Sequence, residues 1–385
     1  MKDRAEARLD AKRDWKQQES IKNLKNGYIS QVVHRLVEDT VILNGEEVKP
    51  SYIVLEKLSR EMKGTRRKID FQVYQKIELA LAKKLGFYVN KDVEEGLPGS
   101  IKKPLQLVPP INTFDQIDKK DSFGIMLYTR PNYTSVTDPA TGWRQTIYIT
   151  NGNSDKILEQ IVKTFDDIFF DGTDYVFTYT ENNANHQWSL FSSLNGKSLD
   201  RFEYNKRTKG HDFYDIVKVL NGLFEDFDKS RSLLEQMRNG KELKKVEENR
   251  TAYESLRKAI KMIQQIRNTD NNQLDDNFLL SPVRMEDGRH FDTRKCSEFE
   301  DLNLQKIVDA DANGAYNIAR KGLIMDAHYR YWKEQGKPTI KKKVKSKTTE
   351  STALSIYVSD REWDMWLINR NMWEEHLPEF AIRHD

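Results

Sequence analysis

The chain contains a single cysteine, Cys296, among its 385 residues. One cysteine excludes an intramolecular disulfide framework and any zinc site built from several cysteines. It is typical of a protein from a reducing compartment. No window holds 18 consecutive apolar residues, and the start "MKDRAEARLDAKRDW" lacks the apolar core of a signal peptide. These absences predict a soluble, cytoplasmic protein with no membrane segment.

Net charge is also small, because 63 Lys and Arg residues are balanced by 60 Asp and Glu residues. The distribution is more informative than the total, since basic residues cluster in "GTRRK" (64–68) and in "KPTIKKKVKSK" (337–347). Such clusters can follow a phosphate backbone. Arg66, Arg67 and Lys68 are therefore candidate nucleic-acid-binding residues. The alternative is that each cluster is a solvated surface.

Helical and strand-like segments alternate through the first third of the chain. Residues 3–26 are charged and free of Gly and Pro, which predicts an exposed helix that docks through Trp15 and ends at Gly27. The pattern then predicts four elements, namely a helix over 28–43, a buried strand over 51–58 that ends in Glu56, a helix over 70–89 and a strand over 123–129. This order predicts an α/β layer.

Turn-forming residues in "TRPNYTSVTDPATGW" (129–143) mark a boundary. From there to about residue 307 the pattern predicts a separate α+β insertion, with strands in 174–182 and 186–194 and helices in 214–227 and 252–268. The chain then returns to a helix over 311–333, which a Lys-rich loop follows at 337–347.

Two carboxylates that are distant in sequence, Glu56 and Asp311, are the candidate metal ligands. A carboxylate at the carboxyl end of a buried strand faces the crevice where α/β proteins place their sites. Asp311, in the first turn of its helix, can reach the same crevice if the helix packs closely through its small residues, namely Ala312, Ala315, Ala319 and Gly322. Converging carboxylates can hold Mg²⁺, and a pair of ions can clamp a phosphodiester. The alternatives are that Asp311 is only an N-cap and that Glu56 is a solvated strand end.

Several segments resemble, in the same order, the C-terminal part of the type V-A CRISPR effector nucleases. The resemblance covers residues 12–371 and rests on eight matches, "SIKNLKNGYISQVVHRLV", "YIVLEKL", "FQVYQKIE", "TSVTDPATGW", "QIRN", "SPVRMEDGRHFDTR", "DADANGAYNIARKG" and "SDREW". So many ordered matches are more specific than any single motif.

The resemblance implies an α/β fold, a partial RNase H-like (RuvC) fold interrupted by an α+β insertion. It implies four parts, namely a bridge helix at 1–26, RuvC-like segment II at 27–142, a nuclease-lobe insertion domain at 143–307, and RuvC-like segment III with a C-terminal extension at 308–385. In the bridge helix, Trp15 would be the anchor.

The resemblance also implies the roles of individual residues. Glu56 and Asp311 would be ligands of Mg²⁺, with Mn²⁺ as an alternative, and Asp311 is preferred to Asp309 because the family's ligand directly precedes "AN". Arg267 would assist cleavage of the target strand; on sequence alone it could instead be a helix C-terminal cation. The insertion's acidic position falls on Asp275, Asp276 or Asn277, of which Asp276 is preferred. Lys57 stands where the family commonly has an aspartate.

One part of the family pattern has no match in this sequence, namely the segment that carries the first catalytic aspartate, together with the recognition lobe. We therefore expect the catalytic C-terminal portion of an RNA-guided DNA endonuclease, whose partners are DNA, a CRISPR guide RNA and the effector's N-terminal part, in cis or in trans. The alternative is a non-catalytic nucleic-acid-binding fragment that needs an upstream chain for activity. A compact transposon-encoded nuclease is disfavoured, because its four-cysteine zinc module cannot be built from one cysteine.

Overall fold

A computed structural model describes most of the chain, namely residues 23–44, 46–57, 68–118, 122–269, 277–344 and 347–383. The chain divides into two compact units, Met1–Arg130 and Pro131–Asp385. Five residues named above lie outside the described ones, namely Trp15, Arg66, Arg67, Asp275 and Asp276, and only the backbone of Lys68 and Asn277 is described. No helix in the described ranges is long and apolar enough to cross a membrane.

The first helix of Met1–Arg130, α1 (residues 23–40), runs through Gly27 instead of ending there. A helical glycine costs about 1 kcal/mol, which the burial of Val33 and Val37 offsets. The predicted helix over 28–43 is too long, because its last residues form strand β1 (Val41–Asn44), which pairs with β2 (Glu47–Pro50). Val41 and Ile42 are β-branched and favour a strand.

A three-stranded sheet carries the predicted strand that ends in Glu56. The sheet consists of β3 (Ile53–Glu56), β4 (Ser122–Phe123) and β5 (Met126–Thr129). Between β3 and β4 the chain forms the crossover helix α2 (Lys68–Gly86) and the short helix α3 (Asp115–Asp118). Strand β5 lies between β3, to which it is parallel, and β4, to which it is antiparallel. The predicted single strand over 123–129 is wrong, because Gly124, with φ +63°, reverses the chain between β4 and β5.

The core of this unit joins α1 and α2 to the sheet. Leu81 and Leu85 of α2 pack with Val37 of α1 and with Ile53 and Met126 of the sheet. The predicted α/β layer is therefore confirmed within this unit.

In Pro131–Asp385 a three-stranded antiparallel sheet is surrounded by helices and small hairpins. The sheet has the order β6-β7-β8, with β6 (Asp167–Phe170), β7 (Tyr175–Glu181) and β8 (His186–Phe191), so the predicted meander is confirmed. The helices around it are α4 (Ser154–Thr164), α5 (Ile216–Leu223), α6 (Leu233–Arg238) and α7 (Ala252–Ile263). The small hairpins are β9 (Ser193–Leu194) with β10 (Lys197–Ser198), β11 (Phe202–Asn205) with β12 (Gly210–Phe213), and β13 (Arg267–Thr269) with β14 (Asn277–Leu279).

The last part of the chain begins with the long helix α8 (Ala310–Glu334), which confirms the prediction over 311–333. The predicted Lys-rich loop is instead a hairpin of β15 (Thr339–Val344) and β16 (Lys347–Thr352). Its second strand is rich in threonine, which favours strands. Helices α9 (Asp360–Ile368) and α10 (Arg370–Ala381) follow.

The first half of α8 buries polar side chains, and the expected alanine face is wrong, since Ala315 and Ala319 are exposed. Asn313 and Asn317 are fully buried instead. Asn313 Nδ2 donates to the carbonyl of Thr137 at 2.9 Å, and Asn317 Nδ2 donates to that of Thr134 at 2.9 Å.

These carbonyls belong to residues 131–143, where a 3₁₀ turn at Thr134–Val136 leaves main-chain groups without ladder partners. Lys321 Nζ also donates to the carbonyl of Asn132 at 2.9 Å. Gly314 packs against Ser135, where an added Cβ would make an ordinary van der Waals contact at 3.7 Å. The side chains of α8 therefore complete the hydrogen bonding of this segment.

A buried ion pair lies directly after the segment of residues 131–143 and links it to helix α9. Arg144 donates Nε and Nη2 to the two carboxylate oxygens of Asp364 in α9 at 2.7 and 2.8 Å, and both side chains are almost fully buried. Asn183 adds a hydrogen bond to Asp364 at 3.0 Å. Such a bidentate pair fixes geometry as well as charge.

Replacing Gly27 by alanine should stabilise α1 by about 0.5–1 kcal/mol, because the position is helical and exposed, and no atom of the described residues would lie within 4 Å of the added Cβ. Hydrogen exchange of the α1 amides should slow accordingly. The matched variant Gly124→Ala should destabilise, since its φ is +63° and its Cβ would lie 2.3 Å from the Leu107 carbonyl oxygen. Faster exchange in Gly27→Ala would contradict the continuous helix.

Truncating Asp364 to alanine should cost about 3–5 kcal/mol, because Arg144 would be left buried without its counter-charge. Urea denaturation followed by tryptophan fluorescence measures the loss. As a control, Glu379→Ala removes the partner of Arg361 in an exposed pair at 2.9 Å and should cost under about 1 kcal/mol. Equal losses in the two variants would show that the buried pair does not hold the segment.

Candidate functional site

Glu56 lies at the carboxyl end of two neighbouring parallel strands. It is the last residue of β3 and stands opposite Thr129 in the register with β5. The next amide, of Lys57, donates to the Thr129 carbonyl at 2.7 Å, which continues the pairing one residue beyond the strand. Glu56 is partly exposed. The sheet register therefore determines where this carboxylate leaves the backbone.

Tyr74 of α2 supports this strand end with Glu78 nearby, and the sequence patterns singled out neither residue. The hydroxyl of Tyr74 donates to the main-chain carbonyl of Glu56 at 3.1 Å. Burial, together with the negative charges of Glu78 and Glu56, raises the pKa of Tyr74. Tyr74 therefore remains a protonated donor at neutral pH. The available sequence signal was weak, namely a Tyr and a Glu four residues apart on a largely apolar helix.

The start of α8 separates the roles of its two aspartates. Asp309 is the N-cap, and its Oδ1 accepts hydrogen bonds from the amides of Asp311 at 2.9 Å and Ala312 at 2.7 Å. The alternative that Asp311 is the N-cap is therefore wrong. Asp311 lies in the first turn, is exposed, and makes no side-chain hydrogen bond or ion pair with the described residues. The helix N-terminus favours a negative charge at this place.

Asp138 is a third acidic residue near the start of α8, but its role is structural. It is fully buried and accepts hydrogen bonds from the Ala140 amide at 2.9 Å and the Thr141 hydroxyl at 2.7 Å. Burial raises the pKa of Asp138. Its carboxyl group shapes the turn at residues 138–143 and is not accessible to a ligand.

Arg267 is the first residue of strand β13, because helix α7 ends at Ile263 and not at residue 268 as predicted. The alternative that Arg267 is the C-terminal cation of that helix is therefore wrong. Arg201 fixes this end of α7, since its buried guanidinium donates to the carbonyls of Met262 at 2.9 Å and Ile263 at 3.1 Å.

Arg267 is half-buried and lines a cavity of about 390 Å³. Lys261 and Tyr204 also line this cavity. Arg267 thus lies on a concave surface, where an anionic group could reach its guanidinium.

The predicted metal ligands have suitable chemistry, since Mg²⁺ prefers carboxylate oxygens. Glu56 belongs to Met1–Arg130 and Asp311 to Pro131–Asp385, so their proximity stays a prediction. In the part of the chain that the structure describes, no three His, Cys, Asp or Glu side chains form a group able to hold a metal. Glu56 and Asp311 therefore fit a magnesium site in kind, but two carboxylates do not complete it.

A comparison with protein families gives a match over most of the chain. The model of the RuvC nuclease domain matches residues 1–363. This range includes β3 with Glu56, β13 with Arg267 and all of α8 with Asp311. The chain therefore belongs to the RuvC nuclease domain family and is a nuclease that acts on nucleic acid.

Proposed function

We propose that this chain is the catalytic C-terminal portion of a CRISPR RNA-guided DNA endonuclease, and that it hydrolyses DNA phosphodiester bonds by a metal-dependent RuvC mechanism. In this proposal it works in the cytoplasm with DNA, a guide RNA and the effector's N-terminal part. Its fold would be a partial RNase H-like fold, with residues 143–307 as the inserted nuclease-lobe domain. The family match supports the nuclease activity, and the ordered motifs support the CRISPR assignment.

One observation carries the catalytic part of the proposal, namely that the two aspartates at the start of α8 have different roles. Asp309 is occupied by two backbone amides, whereas Asp311 is exposed and lies outside the cap. Asp311 is not needed as the cap, and its negative charge at the helix N-terminus is favourable. Asp311 is therefore the residue that can take a metal ion, as Glu56 can at the end of β3.

In the mechanism, Glu56 and Asp311 would hold Mg²⁺, with Mn²⁺ as an alternative, and the bound ion would polarise the phosphodiester and activate water. Tyr74 orients the backbone of Glu56 through its hydrogen bond to the carbonyl. Arg267 would bind a phosphate of the strand to be cut, because its guanidinium is a planar and permanently charged fork.

The proposal requires the effector's N-terminal part as a partner, because Glu56 and Asp311 alone do not supply enough metal ligands. Magnesium demands nearly ideal octahedral coordination, and a pair of ions needs a shared ligand. Glu56 and Asp311 supply two carboxylates, so we infer that a further aspartate comes from the N-terminal part, in cis or in trans. The alternative function, a nucleic-acid-binding fragment that is inactive without that partner, shares this requirement.

Asp311→Asn should lower DNA cleavage at least about 100-fold in the complete effector with guide RNA and Mg²⁺, because a metal contributes several kcal/mol to transition-state stabilisation. Glu56→Gln should act similarly. Asp309→Asn is the matched control, since asparagine caps a helix as well as aspartate does and activity should persist. Cleavage of a labelled duplex, followed by gel electrophoresis, measures the rates.

The chain without the effector's N-terminal part should cleave single-stranded DNA poorly. Robust cleavage by this chain alone, abolished by Asp311→Asn, would show that another residue such as Asp309 completes the ligand set. Full activity of Asp311→Asn in the complete effector would overturn the catalytic proposal.

Arg267→Ala should slow cleavage about 10- to 150-fold in the complete effector, because a charge-assisted hydrogen bond contributes about 1.5–3 kcal/mol. Guide-directed DNA binding, measured by gel shift, should be nearly unchanged, because base pairing with the guide holds the target in the complete effector. A loss of binding in proportion to the loss of cleavage would assign Arg267 to affinity instead. The exposed Arg361→Ala provides a control for charge removal elsewhere in Pro131–Asp385.

A further inference from the structure

The hairpin β11–β12 has one aromatic face. Its register pairs Phe202 with Phe213 and Tyr204 with His211. Because paired residues of an antiparallel hairpin share a face, these four rings lie on the same side. The inner pair packs at 6.0 Å between ring centroids and the outer pair at 5.3 Å. The opposite face carries the acidic pair of Glu203 and Asp212.

One ring of each pair is open to solvent. Tyr204 is 54% exposed and Phe213 is 50% exposed, whereas Phe202 also packs edge-on against Phe278 at 6.3 Å. Single exposed apolar residues are common on protein surfaces. Here two exposed rings lie on one face, beside the cavity that Arg267 lines, and together they form a surface on which a ligand can bind.

Basic side chains border the same surface. The hairpin loop contains Lys206, Arg207 and Lys209, and the cavity beside Tyr204 and His211 is lined by Lys261 and Arg267. In the described ranges none of these five cations forms an ion pair.

The acidic residues of the hairpin, by contrast, already have partners. Glu203 pairs with Lys258 at 2.7 Å, and Asp212 accepts a hydrogen bond from Asn205 at 2.6 Å. Lys258 neutralises Glu203, which also lines the cavity, whereas Asp212 keeps its negative charge because its partner is a neutral amide. The five cations outnumber this charge, and positive charge beside aromatic rings is the combination that binds single-stranded nucleic acid.

We propose that the aromatic face of β11–β12 binds single-stranded DNA, with a base stacked on Tyr204 and the adjoining phosphates held by Arg207 and Arg267. This inference rests on the proposed function, in which Arg267 binds a phosphate of the strand to be cut, because it places that same strand on the hairpin. Stacking on a tyrosine ring is tolerant of sequence, since every base has a π-face. The hairpin would thus hold the strand by its bases while Arg267 holds it by its backbone.

The test is fluorescence anisotropy with the full chain, a fluorescein-labelled 20-nucleotide oligothymidylate and no divalent metal, so that cleavage does not interfere. Tyr204→Ala should weaken binding about 5- to 150-fold, the range found when a stacking aromatic is removed. Tyr204→Phe should retain binding, because it keeps the ring. Tyr329→Ala, at a 40% exposed tyrosine of α8, should have no effect.

Salt dependence tests the phosphate contacts separately. For single strands, log K falls with log salt concentration with a slope of about 0.7 per phosphate contact. The variant Arg207→Ala should therefore reduce the slope by about 0.7. An unchanged slope would remove the hairpin loop from the binding surface.

Two outcomes would overturn the inference, namely wild-type affinity in Tyr204→Ala and tighter binding of a 20-nucleotide oligouridylate than of the DNA. The inference and the proposed function can fail independently. If DNA binding depends on Tyr204 but the complete effector does not cleave, the nuclease proposal fails and the hairpin surface stands. If cleavage depends on Asp311 while Tyr204→Ala binds normally, the hairpin inference fails alone.

Discussion

The buried carbonyls of Thr134 and Thr137 determine how helix α8 packs within Pro131–Asp385. They lie in an irregular segment where no sheet or helix ladder can satisfy them, and a buried carbonyl without a partner costs about 1–3 kcal/mol. Asn313 and Asn317 supply the missing donors, and Asn317 also donates to Asn313 at 3.1 Å. The geometry of these bonds leaves α8 one rotational setting about its axis.

That setting determines which aspartate is exposed. Each residue turns an α-helix by about 100°, so Asp311, two residues before Asn313, lies about 200° from the buried amide stripe. Asp311 therefore faces outward, as the structure shows. Asp309 precedes the helix, where its carboxylate can reach the free amides of the first turn. The exposure of the candidate ligand is thus a consequence of polar packing elsewhere on the helix.

Local patterns in the sequence predicted the elements with regular periodicity. The strand that ends at Glu56, the long helix α8 and the meander β6–β8 all follow from alternation or helical spacing. The buried face of α8 could not be predicted in this way, because asparagine is normally a surface residue and alanine a core one. Its burial depends on carbonyls about 180 residues earlier in the chain. The placement of Arg267 in a strand depends likewise on Arg201, which terminates α7 from a distance in sequence.

Glu56, Asp311 and Arg267 all stand at the ends of secondary-structure elements, and this explains why polar side chains support each place. Hydrogen-bond ladders stop at element ends, so main-chain groups there need other partners. Tyr74 bonds the carbonyl of Glu56, Asp309 caps the amides around Asp311, and Arg201 holds the turn before Arg267. The bonds that satisfy these groups also fix the backbone from which each candidate side chain leaves. Side chains on such ordered element ends are held in preset positions without extra core packing.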